Sequence, residues 1–150
     1  MGSRRSLTEA RHWCLNNLAP PNIQSGVDAC VLVVEDDRDL RECLVDVLRT
    51  ELPDLELREA RHGREALAEI ERRTPTLVLL DMLMPVMDGA EFLEALDRAG
   101  SGDLPRVVIL SAGDEEHLGA PRPRVVGALR KPVHMDELVD VVRRWCEPRG

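Results

Sequence analysis

The chain has 150 residues, enough for one domain with a real hydrophobic core, and its 43% apolar and 32% charged residues make a globular rather than a disordered composition. A formal net charge of −8 excludes a broad electrostatic grip on nucleic-acid phosphates. Two Trp, one Phe and no Tyr exclude stacking platforms for single-stranded nucleic acid and leave the core to Leu, Val and Ala.

The cysteines, Cys14, Cys30, Cys43 and Cys146, are scattered, with no Cys-x-x-Cys pair and no metal-ligand spacing. They read as structural thiols of a reducing compartment, with Cys30 and Cys43 acting as small hydrophobes inside apolar segments. No apolar run approaches the ~18–20 residues of a membrane span. Arg4-Arg5 is faintly similar to a twin-arginine export signal, but no apolar stretch follows it. A cytoplasmic protein is expected.

In chain order, residues 1–28 stand apart as an extension. Ser6 and Glu9 fit a Ser-x-x-Glu capping box, Leu7, Ala10, Cys14 and Leu18 share one helical stripe beside Trp13, and Pro20-Pro21 end it. Two readings stay open: a poorly ordered extension, or a short helix docked on the domain or on a second copy. From Cys30 the pattern alternates. Residues 30–34 form a short buried strand, and 39–52 a helix with Leu40, Cys43, Leu44, Val47 and Leu48 at its spacing. Residues 55–60 alternate as a half-exposed strand, and 63–72 are helical with Ala66, Leu67 and Ile70 inward. Residues 77–80 are an apolar third strand, and 90–99 a helix presenting Phe92, Leu93 and Leu96. Residues 106–110 are a fourth strand, 113–123 are weakly helical at best because of Pro121 and Pro123, and 125–129 are a fifth strand. Residues 135–146 are a last helix with Leu138, Val139, Val142 and Trp145 inward, and 148–150 are a tail. Short strands separated by helices predict βαβ units and a parallel sheet covered on both faces.

In such a sheet the carboxyl ends of the strands meet along one edge, where open α/β folds place their chemistry. Those ends read Glu35-Asp36, Asp81, Ser111 and Lys131-Pro132. Each has a plain explanation alone: the acids as a helix cap and first turn, Ser111 as a cap, Lys131 as a surface lysine. Their joint placement points to a site. Crowded carboxylates repel one another unless a divalent cation or an ammonium intervenes. Oxygen-only ligands suit Mg²⁺, Lys131 supplies a fixed charge and Ser111 a hydroxyl for a phosphoryl oxygen. Asp81 is then a carboxylate nucleophile in a set able to form an aspartyl phosphate.

Four stretches, Val33-Val34-Glu35-Asp36-Asp37, the Asp-x-x-Met-Pro-x-Met-Asp-Gly run at Asp81, Ser111-Ala112 and Lys131-Pro132, together closely resemble the receiver domain of two-component response regulators, over residues 29–147. The resemblance implies a flavodoxin-like, doubly wound sheet of five parallel strands in the order 2-1-3-4-5, with helices on both faces. It implies a phosphoacceptor without separate substrate turnover, which takes a phosphoryl group onto Asp81 from a sensor histidine kinase or phosphotransfer protein and signals to a downstream protein. It implies Mg²⁺ held directly by Asp36, through water by Glu35, and by Asp81 and the main-chain carbonyl of Leu83. Asp37 lies one position past the acidic pair and is left out of the site. A monomer or weak homodimer is expected, with no direct nucleic-acid contact and no output domain after the last helix.

The chain departs from the family pattern at Ala128, where an aromatic ring is usual three residues before the lysine, and at Val133, where Phe is usual. The segment between Ser111 and Lys131 is short and Pro-rich. A receiver-like interaction module indifferent to phosphate therefore remains the alternative. A haloacid-dehalogenase-type phosphohydrolase would need an acid where Leu83 stands, and a Gly-rich nucleotide loop is replaced by Glu35-Asp36-Asp37.

Overall fold

The computed structural model describes residues 29–99, 104–112 and 122–146. The elements in order are β1 (Cys30–Val34), α1 (Arg38–Glu51), β2 (Glu56–Ala60), α2 (Gly63–Arg72), β3 (Leu77–Asp81), α3 (Gly89–Arg98), β4 (Arg106–Ser111), β5 (Val125–Arg130) and α4 (Met135–Cys146). They agree with the expected elements to within a residue or two. The strands form one parallel sheet ordered β2-β1-β3-β4-β5, the topology expected from the sequence. The extension at 1–28, most of the weakly helical 113–123 segment and the tail lie outside the described residues.

The central strands β1, β3 and β4 are buried along their whole length, as parallel strands covered on both faces must be. Alternation along them divides the interior into two cores. Val31, Val33, Leu77, Leu79, Val108 and Leu110 pack on one face against Leu44 and Leu48 of α1 and Leu138 and Val142 of α4. Leu32, Val34, Val78, Leu80, Val107 and Ile109 pack on the other against Ala66 and Ile70 of α2 and Phe92, Leu93 and Leu96 of α3. The edge strands β2 and β5 are only partly buried, which accounts for the mixed polarity of 55–60. A register shift at Val107/Val108 bends the β4–β5 pairing.

Cys43 corrects the sequence reading: it is exposed, not part of the α1 core stripe. That stripe is centred on Leu44 and Leu48 and includes Val45, and a residue ~100° round the helix from Leu44 faces water. Trp145 is half-buried, with the Arg106 guanidinium 5.3 Å from its ring centroid, a cation–π contact joining α4 to the start of β4. Arg58 on β2 donates to the carbonyls of Glu69 and Arg73 and so satisfies the C-terminal end of α2. No helix among the described residues is long and apolar enough to cross a membrane.

Caps fix where the helices begin. The Asp37 carboxylate accepts from the Leu40 amide at 3.2 Å, and Asp88 with Glu91 forms a reciprocal capping box on α3. At α2 the cap is His62, whose Nδ1 accepts from the Glu65 amide at 3.2 Å. The loop between β3 and α3 is held at both ends. Met87 O accepts from Gly63 N at 3.2 Å, and a Cβ at Gly89 would lie 2.7 Å from Met82 Cα, so only glycine fits there. Between these anchors Val86 is exposed at φ 68, a left-handed conformation that costs a β-branched residue about 1–2 kcal/mol. Asparagine tolerates that region. Val86→Asn should raise stability by about 1 kcal/mol, seen as a higher urea midpoint at unchanged slope; a lower midpoint would show that the valine side chain contributes more than its backbone costs.

Candidate functional site

The site is assembled by strand ends. Glu35 follows β1 and keeps a last ladder bond, its amide donating to Ala60 O at 3.1 Å. The chain then turns through Asp36 into α1. Asp81 closes β3, Ser111 closes β4, and Lys131 follows β5, with its amide donating to Ser111 O at 2.7 Å. All six residues expected from the sequence lie along this edge.

Glu35 is 1% exposed and Asp81 3% exposed, so both carboxyl groups are cut off from bulk water. The Lys131 ammonium lies between them, 3.1 Å from Glu35 Oε1 and 3.2 Å from Asp81 Oδ1. Asp81 Oδ1 also accepts from the Leu83 amide at 3.1 Å, and Glu35 Oε2 from the Asp37 amide at 3.2 Å. Glu35 Oε1 is left buried without an aligned hydrogen-bond donor. Asp36 is exposed at the mouth, and Glu35, Asp36 and Asp81 each offer an oxygen within 4.8 Å of the others. Three converging carboxylates, with a buried oxygen met by one ammonium alone, fit a hard divalent cation such as Mg²⁺.

Burial pushes the Glu35 carboxyl up to about 7, reinforced by the Asp81 carboxylate beside it, while Lys131 and the Asp37 amide pull the other way. Burial alone would lower Lys131, but the Glu35 and Asp81 carboxylates outweigh it and hold the ammonium above its ordinary value. One lysine thus serves two acids and leaves Glu35 incompletely compensated.

Ser111 is buried at the end of β4, next to Leu110, the register partner of Asp81. Leu83 reaches the site through its amide, while the residue as a whole is 62% exposed. Asp37 is occupied as the α1 cap, the reason it stands outside the acidic set. Sequence reading missed Arg41, whose guanidinium donates to Glu35 O at 2.8 Å and to Glu59 Oε1 at 3.0 Å. An arginine in the first turn after an acid-rich cap was the only available hint.

An open five-stranded sheet with an acid trio and a lysine at its carboxyl edge defines a receiver-type module. Residues 31–143 match the response regulator receiver domain, and the chain belongs to that family. It is 34% identical over 118 residues to an uncharacterized 14.6 kDa protein of Leptolyngbya boryana, covering 77% of this chain and 88% of that one. It is 37% identical over 115 residues to response regulator MprA of Mycolicibacterium vanbaalenii, covering 75% of this chain but 48% of that one. The chain thus spans about half of some curated relatives, and only 28% of a protein-glutamate methylesterase from Moorella thermoacetica. Among solved structures, the receiver domain of NtrX from Brucella abortus superposes with a TM-score of 0.66 at 31% identity, covering 77% of this chain and 97% of that one. The response regulator TrrA from Thermotoga maritima, solved with Mg²⁺ and BeF, superposes with a TM-score of 0.67 at 26% identity, covering 78% and 98%.

The raised Glu35 carboxyl gives a pH dependence of defined sign. Its folded pKa, about 7, lies above the ordinary 4.5, so between those values the native state holds a proton the unfolded chain has lost. The stabilising contribution is complete below about pH 4.5 and is lost as pH rises through about 7. In metal-free buffer the parent should therefore lose stability relative to Glu35→Gln as pH rises through this window. Parallel unfolding midpoints for the two proteins would contradict the shift.

Proposed function

We propose that the protein is a response regulator receiver that accepts a phosphoryl group on Asp81 from a sensor histidine kinase or phosphotransfer protein and signals through phosphorylation-dependent contacts with a downstream protein. The observation that carries this reading is the buried Asp81 carboxylate held 3.2 Å from Lys131, beside a buried Glu35 carboxyl that shares the same ammonium at 3.1 Å. The family membership supports it.

Asp81 Oδ1 is engaged by Lys131 and the Leu83 amide, and we assign Oδ2 as the nucleophile. An Oδ2–P bond forms as the N–P bond of the donor phosphohistidine breaks, and the departing imidazole nitrogen keeps the electron pair and is reprotonated from solvent. The Lys131 ammonium, held beside Asp81, presents its positive charge to the transferring oxygens, and the Ser111 hydroxyl donates to one of them. Glu35, Asp36, Asp81 and the Leu83 carbonyl would hold Mg²⁺, which when bound would supply positive charge against the phosphoryl oxygens. The burial of Glu35 and Asp81 keeps the local dielectric low, so these charges act strongly.

A second reading, a phosphate-indifferent interaction module, is favoured by one observation. Ala128 is exposed on β5, where the family usually carries an aromatic ring, so no ring there can reorient on phosphorylation.

Incubation with acetyl phosphate and Mg²⁺ should add one phosphate to the parent by intact mass, and none to Asp81→Asn; labelling of the Asn variant would move the acceptor elsewhere. Asp36→Ala should weaken Mg²⁺ binding more than Glu35→Gln in a calorimetric titration, because it removes a direct ligand rather than a water-mediated one. Equal losses would reverse that assignment. Beryllofluoride should change amide exchange beyond the loops at Asp36 and Asp81, and protection changes confined to those loops would favour the phosphate-indifferent module.

A further inference from the structure

Arg41 sits on the first turn of α1, yet its side chain is only 11% exposed. Its guanidinium folds back over the β1–α1 loop. Nη1 donates to the main-chain carbonyl of Glu35 at 2.8 Å, and Nε donates to the Glu59 carboxylate at 3.0 Å. Glu59 is the register partner of Val33 near the end of β2, and Ala60, the next residue, accepts the Glu35 amide at 3.1 Å. Glu35 is therefore tied to the edge strand from both sides of its backbone, directly through its N–H and through Arg41 by its C=O. The C=O of Glu35 belongs to the peptide that leads into Asp36, so its orientation sets the direction in which Asp36 leaves the sheet.

We propose that Arg41 is a positioning residue for the divalent-cation site, holding the Glu35–Asp36 peptide against β2 so that the two acidic side chains converge with Asp81. The inference rests on the metal reading given above. Arg41 touches neither the cation nor the phosphoryl group; it acts through the backbone that carries the ligands, as partners behind a metal's own ligands commonly do. The planar fork of arginine suits this task, since one rigid group serves a carbonyl and a carboxylate at once. A lysine ammonium on a flexible stem does not reproduce that geometry. Glu59 is the outer anchor of the clamp, and its side chain is 43% exposed.

The sign of the effect separates positioning from simple electrostatics. Arg41 is a positive charge near a cation site, so Coulomb's law predicts that Arg41→Ala binds Mg²⁺ more tightly. Positioning predicts the opposite. Calorimetric titration with Mg²⁺ alone, on proteins shown to be folded by circular dichroism, reads the difference. Arg41→Ala should lose about tenfold in Mg²⁺ affinity, the scale typical of residues that orient ligands. Arg41→Lys should recover only part of it, and amide exchange at Asp36 and Asp37 in metal-free protein should quicken in both. Unchanged or tighter binding in folded Arg41→Ala would overturn the proposal.

The anchor gives a test that survives if Arg41→Ala does not fold. Glu59→Ala and Glu59→Gln remove the same charge, but the glutamine oxygen still accepts from Arg41. Weaker Mg²⁺ binding in Glu59→Ala than in Glu59→Gln supports the clamp; equal binding overturns it. A parent that binds no Mg²⁺ removes the metal reading and this inference with it, whereas a parent that binds with variants that bind equally well removes this inference alone.

Discussion

Two buried carboxylates share one ammonium, and the rest of the molecule exists to hold that arrangement in place. Taking Glu35 and Asp81 out of water costs several kcal/mol each by the general scale for buried ions. A single lysine 3.1–3.2 Å from both returns only part of it. The uncompensated remainder appears as a raised carboxyl on Glu35. Stability alone would favour apolar residues at these positions. The cluster keeps instead a standing demand for positive charge at the sheet edge.

Holding such a cluster requires a rigid platform, and the two cores supply it. Val33 and Leu79, two residues before Glu35 and Asp81 on their strands, anchor in the core beneath α1 and α4, and Val34 and Leu80 anchor in the other beneath α2 and α3. Successive residues of β1 and β3 are thus gripped from opposite sides up to the last position before each acid. Beyond the strands the grip passes to backbone hydrogen bonds: the Lys131 amide to Ser111 O, the Gly63 amide to Met87 O and the Glu35 amide to Ala60 O. Only the Leu83 and Val86 side chains project into solvent as large apolar groups among the described residues.

The parts of this design that follow from chain-local chemistry were legible in the sequence. The apolar run Leu77-Val78-Leu79-Leu80 cannot be anything but buried, and once β1, β3, β4 and β5 were placed, the acids, Ser111 and Lys131 fell at one edge by topology. The illegible parts depend on contacts between distant segments. Arg41, Arg58 and Arg106 count as charged surface residues in any local reading, yet each is withdrawn from water by a carbonyl, a helix end or an indole ring supplied by another element. His62 as a helix cap needed the Glu65 amide to be seen beneath it. Cys43 failed for a different reason: a stripe of apolar residues locates a helix well but its centre poorly, and a residue at the margin can face either way.

Trp145 lies over Arg106, the first residue of β4, whereas Ser111 ends the same strand at the site. Five residue steps along a strand span about 16 Å. The indole is therefore too far away to be quenched directly by an ion bound among Glu35, Asp36 and Asp81. Its emission, once separated from that of Trp13, is a remote optical channel: it is blind to occupancy of the site and responds only when β4 or α4 shifts. In this chain a fluorescence change would report the transmission of a signal rather than its arrival.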